Sequence, residues 1–349
     1  MLEQDAATPV APAPTRTNGA RATELRTASV AGLGTALPPT IVENAPIATR
    51  VGVGDDWIER RTGIRQRRHA RPGESTATLG AEAGLAALAD AGIAAADVDL
   101  LIAATCTADH AIPGTAPEIA HLMGCGQIPA YDLGAACSGF VTGLDTGSAL
   151  IESGRHDTIV LIGVEVLSRF LNPEDKGTAP IFGDGAGAAV LTASALGGAG
   201  IDLAVMGSDG SNAEYIIARR ENPVIVMDGH STFGAAVSRM SQGALDACAA
   251  SGLTLDDIDL FVFHQANARI LTSVGDRLGL DPAKVVNAIG EIGNVSAASI
   301  PMALQHARRA GQLNHGDRVL CGAFGAGLTW GSCILTWTGP GSTTAGGHA

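Results

Sequence analysis

The chain is poor in lysine, with Lys176 and Lys284 its only two, and its formal net charge is −13. A surplus of negative charge on this scale disfavours nucleic acid and anionic membranes unless a local basic patch overrides it. No apolar run reaches the roughly 18–20 residues needed to cross a bilayer. The N-terminus opens Met1-Leu-Glu-Gln-Asp5 and lacks the basic and apolar regions of a secretory signal. These absences predict a cytoplasmic protein with no nucleic-acid or membrane partner. The six cysteines, Cys106, Cys125, Cys137, Cys248, Cys321 and Cys333, are scattered and form no Cys-x-x-Cys pair. That argues against a zinc cluster and a disulfide framework, and makes each by default a small buried hydrophobe. No Walker phosphate loop, His-Glu-x-x-His motif or Gly-x-Ser-x-Gly elbow occurs. The segment Gly183-Asp-Gly-Ala-Gly187 misses the spacing of a dinucleotide loop.

What is present is a globular composition, 46% hydrophobic and 16% charged, with 46 glycines. The glycines have no period of three, so they signal tight turns and close backbone approaches. Residues 1–26, rich in Ala, Pro and Thr, predict a disordered extension, and residues 339–349 a flexible tail. Between them, helical patterns alternate with short β-branched runs. Residues 28–33 read as a strand, 76–91 as a helix, 99–105 as a strand, 137–153 as a helix, 158–163 as a strand and 332–337 as the last strand. Such alternation predicts α/β architecture with a mostly parallel sheet.

Two segments recur in the same order. Residues 97–105 (Asp-Val-Asp-Leu-Leu-Ile-Ala-Ala-Thr) return as 257–264 (Asp-Ile-Asp-Leu-Phe-Val-Phe-His), an offset of 160. Each follows an alanine-rich helix and a turn at Gly92 or Gly252. Residues 182–191 return loosely as 324–331, an offset of 142. The repetition predicts an internal duplication with a seam near residues 191–200: one half over 27–195 and a second over 196–338, facing each other as a layered sandwich.

Four constellations could carry chemistry. Cys137 follows a strand-like segment, 129–133, and opens a helix, where free N–H groups and positive potential favour a thiolate. Locally this leaves two roles open, a reactive thiol or a buried structural one. His264 ends a strongly apolar strand, a common place for function in α/β proteins, and also for a structural histidine. Gly293-Asn294 reads first as a turn and N-cap. The turn Phe324-Gly-Ala-Gly-Leu-Thr-Trp330 could bring backbone N–H groups against a developing oxyanion.

Together these segments resemble β-ketoacyl-[acyl carrier protein] synthase III, a branch of the thiolase superfamily, over about residues 28–337. The motifs carrying the resemblance are Trp57-Ile-Glu-Arg-Arg-Thr-Gly-Ile-Arg65, Ala135-Ala-Cys-Ser-Gly-Phe140, Phe182-Gly-Asp-Gly-Ala-Gly-Ala-Ala-Val-Leu191, His264-Gln-Ala-Asn-Ala-Arg269, Gly293-Asn-Val-Ser-Ala-Ala-Ser-Ile-Pro301 and Phe324-Gly-Ala-Gly-Leu-Thr-Trp-Gly331. The resemblance implies a thiolase-like fold and a Cys-His-Asn triad at Cys137, His264 and Asn294. It also implies an oxyanion hole from the N–H groups of Cys137 and Ala326, and a homodimer. The implied reaction is decarboxylative condensation of an acyl-CoA with malonyl-ACP, with no metal or organic cofactor. A ketoacyl-synthase-III-like transfer of the acyl group to an oxygen or nitrogen nucleophile is the alternative.

The resemblance further implies CoA contacts at Trp57 and Arg61, with Lys176 standing where the family has a stacking arginine. It implies a tunnel lined by Gly229, Phe233 and Asn267, and carrier docking through Arg269 and Arg277. The family's docking lysines are otherwise replaced, by Asp276 and Gly234. Ile112 falls where acetyl-preferring members often carry phenylalanine. Its smaller side chain predicts room for a branched or medium-length acyl group.

Overall fold

The computed structural model describes residues 26–54, 56–195 and 200–340. The expected N-terminal extension and C-terminal tail lie almost wholly outside the described residues, as does part of the expected seam. The first part runs β1 (Arg26–Ala36), β2 (Thr40–Glu43), α1 (Asn44–Val51), α2 (Trp57–Thr62), β3 (Gln66–His69), α3 (Thr76–Ala91), β4 (Leu100–Ala104), α4 (Ala116–Met123), β5 (Ala130–Leu133), α5 (Gly139–Glu152), β6 (Thr158–Val166) and β7 (Asp184–Ala195). It continues with β8 (Val205–Ser208), β9 (Ile216–Arg219), β10 (Asn222–Met227), α6 (Gly229–Ala250), β11 (Leu260–Phe263), α7 (Ala268–Leu278), α8 (Ile289–Ile292), α9 (Ser299–Arg309), β12 (Arg318–Gly325) and β13 (Thr329–Thr336).

Two sheets form the core, ordered β1-β7-β6-β4-β5 and β11-β12-β13-β8. Their inner strands β4, β6, β11 and β12 are buried on both faces, so they read as apolar runs whose alternate residues serve two different cores. Leu100 and Ile102 of β4 join a central core shared with α5 and α9, while Leu101 and Ala103 pack outward under α3 and α4. In the second sheet Leu260 and Val262 of β11 face the same central core, and Phe261 and Phe263 face α6 and α7. The result is five layers: helices, sheet, the α5/α9 pair, sheet, helices.

The expected duplication is visible in the pairing. In the first sheet β4 runs parallel to β6, β6 antiparallel to β7, and β7 antiparallel to β1. In the second, β11 runs parallel to β12, β12 antiparallel to β13, and β13 antiparallel to β8. Even the parallel partner β5 has a remnant, a single parallel bridge from Phe261 to Val285.

The mostly parallel sheet was a wrong expectation, because both sheets are mixed. No crossover helix separates β6 from β7 or β12 from β13, and without one a following strand returns antiparallel. The three residues Ala326, Gly327 and Leu328 close the second of these reversals, with Gly327 at φ 115°.

Helix α3 starts at a reciprocal cap, in which the Ser75 side chain accepts from Thr78 N–H and the Thr78 side chain accepts from Ser75 N–H. At its other end, Asp90 takes both Arg308 Nη groups of α9, at 2.5 and 2.8 Å, and the Leu33 N–H of β1 at 2.9 Å. This bidentate pair, largely out of water, ties the outer helix layer to the central one across the edge of the sheet. Removing one partner strands the other charge. Arg308→Leu should therefore cost about 3–5 kcal/mol of unfolding free energy. The double variant Asp90→Leu/Arg308→Leu should recover much of that in denaturant melts; a double variant as unstable as the single one would contradict this.

Candidate active site

Cys137 lies one turn beyond β5. The sequence reading opened a helix at Cys137; instead Ala136–Ser138 forms a 3-10 turn, and the α-helix begins at Gly139. Ala136 is driven to φ 45° to make that turn. The Gly325 backbone presses against it, so a Cβ at Gly325 would lie 2.7 Å from the Cys137 nitrogen. Only a glycine admits this approach, and it brings the following Ala326 N–H toward the Cys137 sulfur. Burial pushes the Cys137 thiol up to about 11; a Ser296 hydroxyl and the N–H groups of Cys137 and Ala326 act in the opposite sense.

His264 follows β11 directly, its N–H donating to Gly322 O at 2.8 Å. The ring Nδ1 is 2.6 Å from Ser299 Oγ, which also accepts from Gln265 N–H at 3.2 Å. Ser299 can give its own proton to Nδ1, the arrangement in which the histidine proton sits on Nε2. Burial pushes His264 down to about 4, so the ring is neutral at physiological pH and Nε2–H is a neutral donor. Neutral burial of His264 stabilises the fold fully above about pH 6.5, and that contribution is lost as pH falls toward 4.

Asn294 is pinned by its backbone, donating to Ile181 O at 3.0 Å and accepting from Gly183 N–H at 2.9 Å. Its side-chain Oδ1 accepts from Ser296 N–H at 2.9 Å, which leaves Nδ2 as a donor.

These three residues line one cavity of about 470 Å³. Trp57, Arg61, Lys176, Gly229, Phe233, Asn267 and Arg269 line it too. Exposure rises along it: His264 and Asn294 are buried, Cys137, Phe233 and Asn267 half-buried, and Arg61, Lys176 and Arg269 exposed. Arg61 sits over the Trp57 ring at 5.7 Å, one helical turn away, and Arg269 over Phe233 at 5.7 Å. Asn267 caps α7, accepting from Arg269 N–H at 2.9 Å. Among the described residues three cations line the cavity and no carboxylate does, although the chain as a whole is strongly acidic.

Two expected residues lie elsewhere. Ile112 is outside the cavity and 89% exposed in the single chain. Arg277 is in the last turn of α7, exposed. Among the described residues no group of His, Cys, Asp and Glu is placed to hold a metal ion, and no helix is long and apolar enough to cross a membrane.

Several polar groups around Cys137 were not anticipated. Cys106 is not the buried hydrophobe expected of it: it is exposed in the single chain and its thiol donates to Glu165 Oε1 at 3.2 Å. Glu165 is fully buried in β6 and accepts from Thr107 Oγ at 2.7 Å and from Cys106 N–H. A lone acid inside the apolar run Thr158–Val166 was the signal that could have found it. Ser299 left no comparable trace, since it reads as one more small residue before a helix.

Residues 131–210 match the family 3-oxoacyl-[acyl-carrier-protein (ACP)] synthase III, and residues 248–337 match its C-terminal part. The chain is 44% identical to β-ketoacyl-[acyl-carrier-protein] synthase III 2 of Streptomyces coelicolor, over 89% of this chain and 94% of that one. It is 45% identical to β-ketoacyl-[acyl-carrier-protein] synthase III of Granulibacter bethesdensis, over 88% and 98%. Among solved structures it resembles 3-oxoacyl-(acyl carrier protein) synthase III of Pseudomonas aeruginosa, with TM-score 0.85, 41% identity, and 89% and 98% of the two chains covered. It also resembles the priming β-ketosynthase of a polyketide biosynthetic pathway, with TM-score 0.88, 34% identity, and 93% and 99% covered.

The elevated Cys137 thiol has a direct consequence. The rate of Cys137 alkylation by iodoacetamide, followed by peptide mass spectrometry, should climb about tenfold per pH unit between pH 7 and 9. A profile already level below pH 8 would mean the thiolate is held far more strongly than its burial allows.

Proposed function

The chain belongs to the 3-oxoacyl-[acyl-carrier-protein] synthase III family of condensing enzymes, and from that premise we propose how its own residues divide the condensation that begins a fatty acid or polyketide chain. The observation that carries the assignment is the shared cavity: a thiol and two neutral donors at its inner end and, among the described residues, three cations and no carboxylate along its wall. A long, phosphate-bearing thioester suits such a gradient.

Cys137 is the nucleophile. Its thiolate attacks the thioester carbonyl of an acyl-CoA, and the tetrahedral oxyanion is held by the N–H groups of Cys137 and Ala326. The C–S bond to CoA breaks, and the CoA sulfur leaves with the proton that Cys137 gave up. Arg61 and Lys176 offer charge to the CoA phosphates, and Trp57 an aromatic face. Gly229, Phe233 and Asn267 line the path of the pantetheine arm. Malonyl-ACP follows, with Arg269 and Arg277 facing the acidic carrier. Loss of CO₂ leaves an enolate, whose oxygen accepts from His264 Nε2–H and Asn294 Nδ2–H. The enolate carbon attacks the acyl-Cys137 thioester, forming the C–C bond, freeing the Cys137 thiolate and yielding 3-oxoacyl-ACP. Side chains and substrates supply all the chemistry, with no cofactor.

The two halves of the duplication, 27–195 with the nucleophile and 196–338 with the enolate donors, correspond to these two half-reactions. Exposed Ile112 is suited to reach a second copy's acyl pocket in a homodimer, where it leaves room for a branched or medium-length chain. The protein acts in the cytoplasm.

Incubation with acetyl-, isobutyryl- and hexanoyl-CoA should give acyl adducts on Cys137, read by mass shift, with the branched or longer donors at least as good as acetyl. Adding malonyl-ACP should discharge them as 3-oxoacyl-ACP. Adducts that pass only to oxygen or nitrogen acceptors would identify a plain acyltransferase, and strict acetyl preference would remove the role given to Ile112. His264→Ala and Asn294→Ala should each lower condensation about 10²–10³-fold while acylation of Cys137 changes little. Because His264 stays neutral down to about pH 4, single-turnover decarboxylation should be level from about pH 5.5 to 8. A break near pH 6.5 would show that the imidazole is not held neutral.

A further inference from the structure

The proposed chemistry uses neither Ser296 nor Glu165, yet both lie beside the nucleophile. Ser296 opens a second 3-10 turn, Ser296–Ala298, at φ 44°. It is 2% exposed, and among the described residues its hydroxyl meets full hydrogen-bonding geometry with no partner. Its N–H is already spent on Asn294 Oδ1. The hydroxyl faces three groups: the Cys137 sulfur, the Cys106 thiol and the Glu165 carboxyl. An unsatisfied buried hydroxyl in a strained turn is costly on both counts, and such costs persist where a reaction uses them.

We propose that Ser296 is a further catalytic residue, whose hydroxyl donates to the Cys137 sulfur as it becomes a thiolate. The proposal rests on Cys137 being the nucleophile. The ionisable groups facing that sulfur are Glu165 from β6, Cys106 from the loop after β4 and His264 after β11, and none of them is a cation. Neutral His264 cannot supply positive charge, so the thiolate must be met by dipoles: the two N–H groups already described and one hydroxyl. Glu165 does not need that hydroxyl, because its carboxyl already accepts from Thr107 Oγ at 2.7 Å and from Cys106 N–H at 3.2 Å.

The test is iodoacetamide alkylation of Cys137 at pH 8, resolved from Cys106 by peptide mass spectrometry, together with the burst of acylation by acyl-CoA. Ser296→Ala should slow both by about 3- to 10-fold. Ser296→Gly removes the same hydroxyl while relieving the backbone strain, and should slow them equally. Thermal melts check that each variant is folded, and the glycine variant keeps the test open should the alanine variant fail.

Unchanged alkylation in both serine variants would overturn the proposal. So would a loss seen in Ser296→Ala and not in Ser296→Gly, which would assign the effect to strain. A wild-type protein that alkylates at Cys137 but accepts no acyl group would instead sink the proposed function and leave the role of Ser296 to be judged by alkylation alone.

Discussion

Two strained turns meet at the centre of the molecule, and the reacting groups are placed by what holds those turns in position. Ala136 at φ 45° and Ser296 at φ 44° lie 160 residues apart, the same offset that separates the repeated segments at 97 and 257. Each is the first residue of a 3-10 turn that runs directly into a buried helix, α5 in one half and α9 in the other. A non-glycine residue in this region costs about 1–3 kcal/mol and survives only where its surroundings over-determine it. Here they do. The turn at Ser296 is packed against Gly163 of β6, where a Cβ would sit 2.9 Å from the Ala298 nitrogen, and the turn at Ala136 is packed against Gly325 of β12. Each half supplies the glycine that clamps the turn of the other.

That reciprocity explains how a duplicated fold makes an asymmetric site. The position matching Cys137 in the second half is Ala297, and the position matching Gly134 is Asn294. One half therefore offers a thiol where the other offers a small apolar residue, and the second offers an amide where the first offers nothing. Neither half is a site alone. Pressing the two turns together through the α5/α9 layer brings the thiol of one and the donors of the other to the same cavity, at the point where both sheets end.

Much of the fold could be read from residues because local signals agreed with it. The helix Thr76–Ala91 was bounded by Ser75, which caps it, and Gly92, which ends it in the left-handed region. The strands announced themselves as apolar runs. Strand direction did not, because the Phe-Gly-x-Gly segments were legible as repeats but not as chain reversals, and only the pairing of β12 with β13 across Ala326–Leu328 shows the return. The site divides in the same way. Cys137 and His264 stood out because each follows a strand-like run, and Asn294 because it sits in a Gly-Asn turn before an apolar helix. Ser299, which meets His264 Nδ1, and Ser296 did not, because a serine in a run of small residues says nothing of which group it will face. Those contacts join residues 35 to 190 positions apart, and no local periodicity encodes them.

The electrostatics of the site follow from the same burial. Taking Cys137 and His264 out of water raises one and lowers the other, so both rest uncharged, and no ion pair forms between them. An imidazolium would activate the thiol but could no longer be a neutral donor, and it would attract the malonyl carboxylate whose loss must be favoured. In the proposed reaction a neutral ring leaves that carboxylate unpaired and offers a hydrogen bond where the enolate oxygen would form. The cost is a reluctant thiol, which must then be helped by groups that carry no net charge. Fixed N–H dipoles and a buried hydroxyl meet that condition, while the three cations remain at the exposed end, where they can attract phosphate without disturbing the chemistry within.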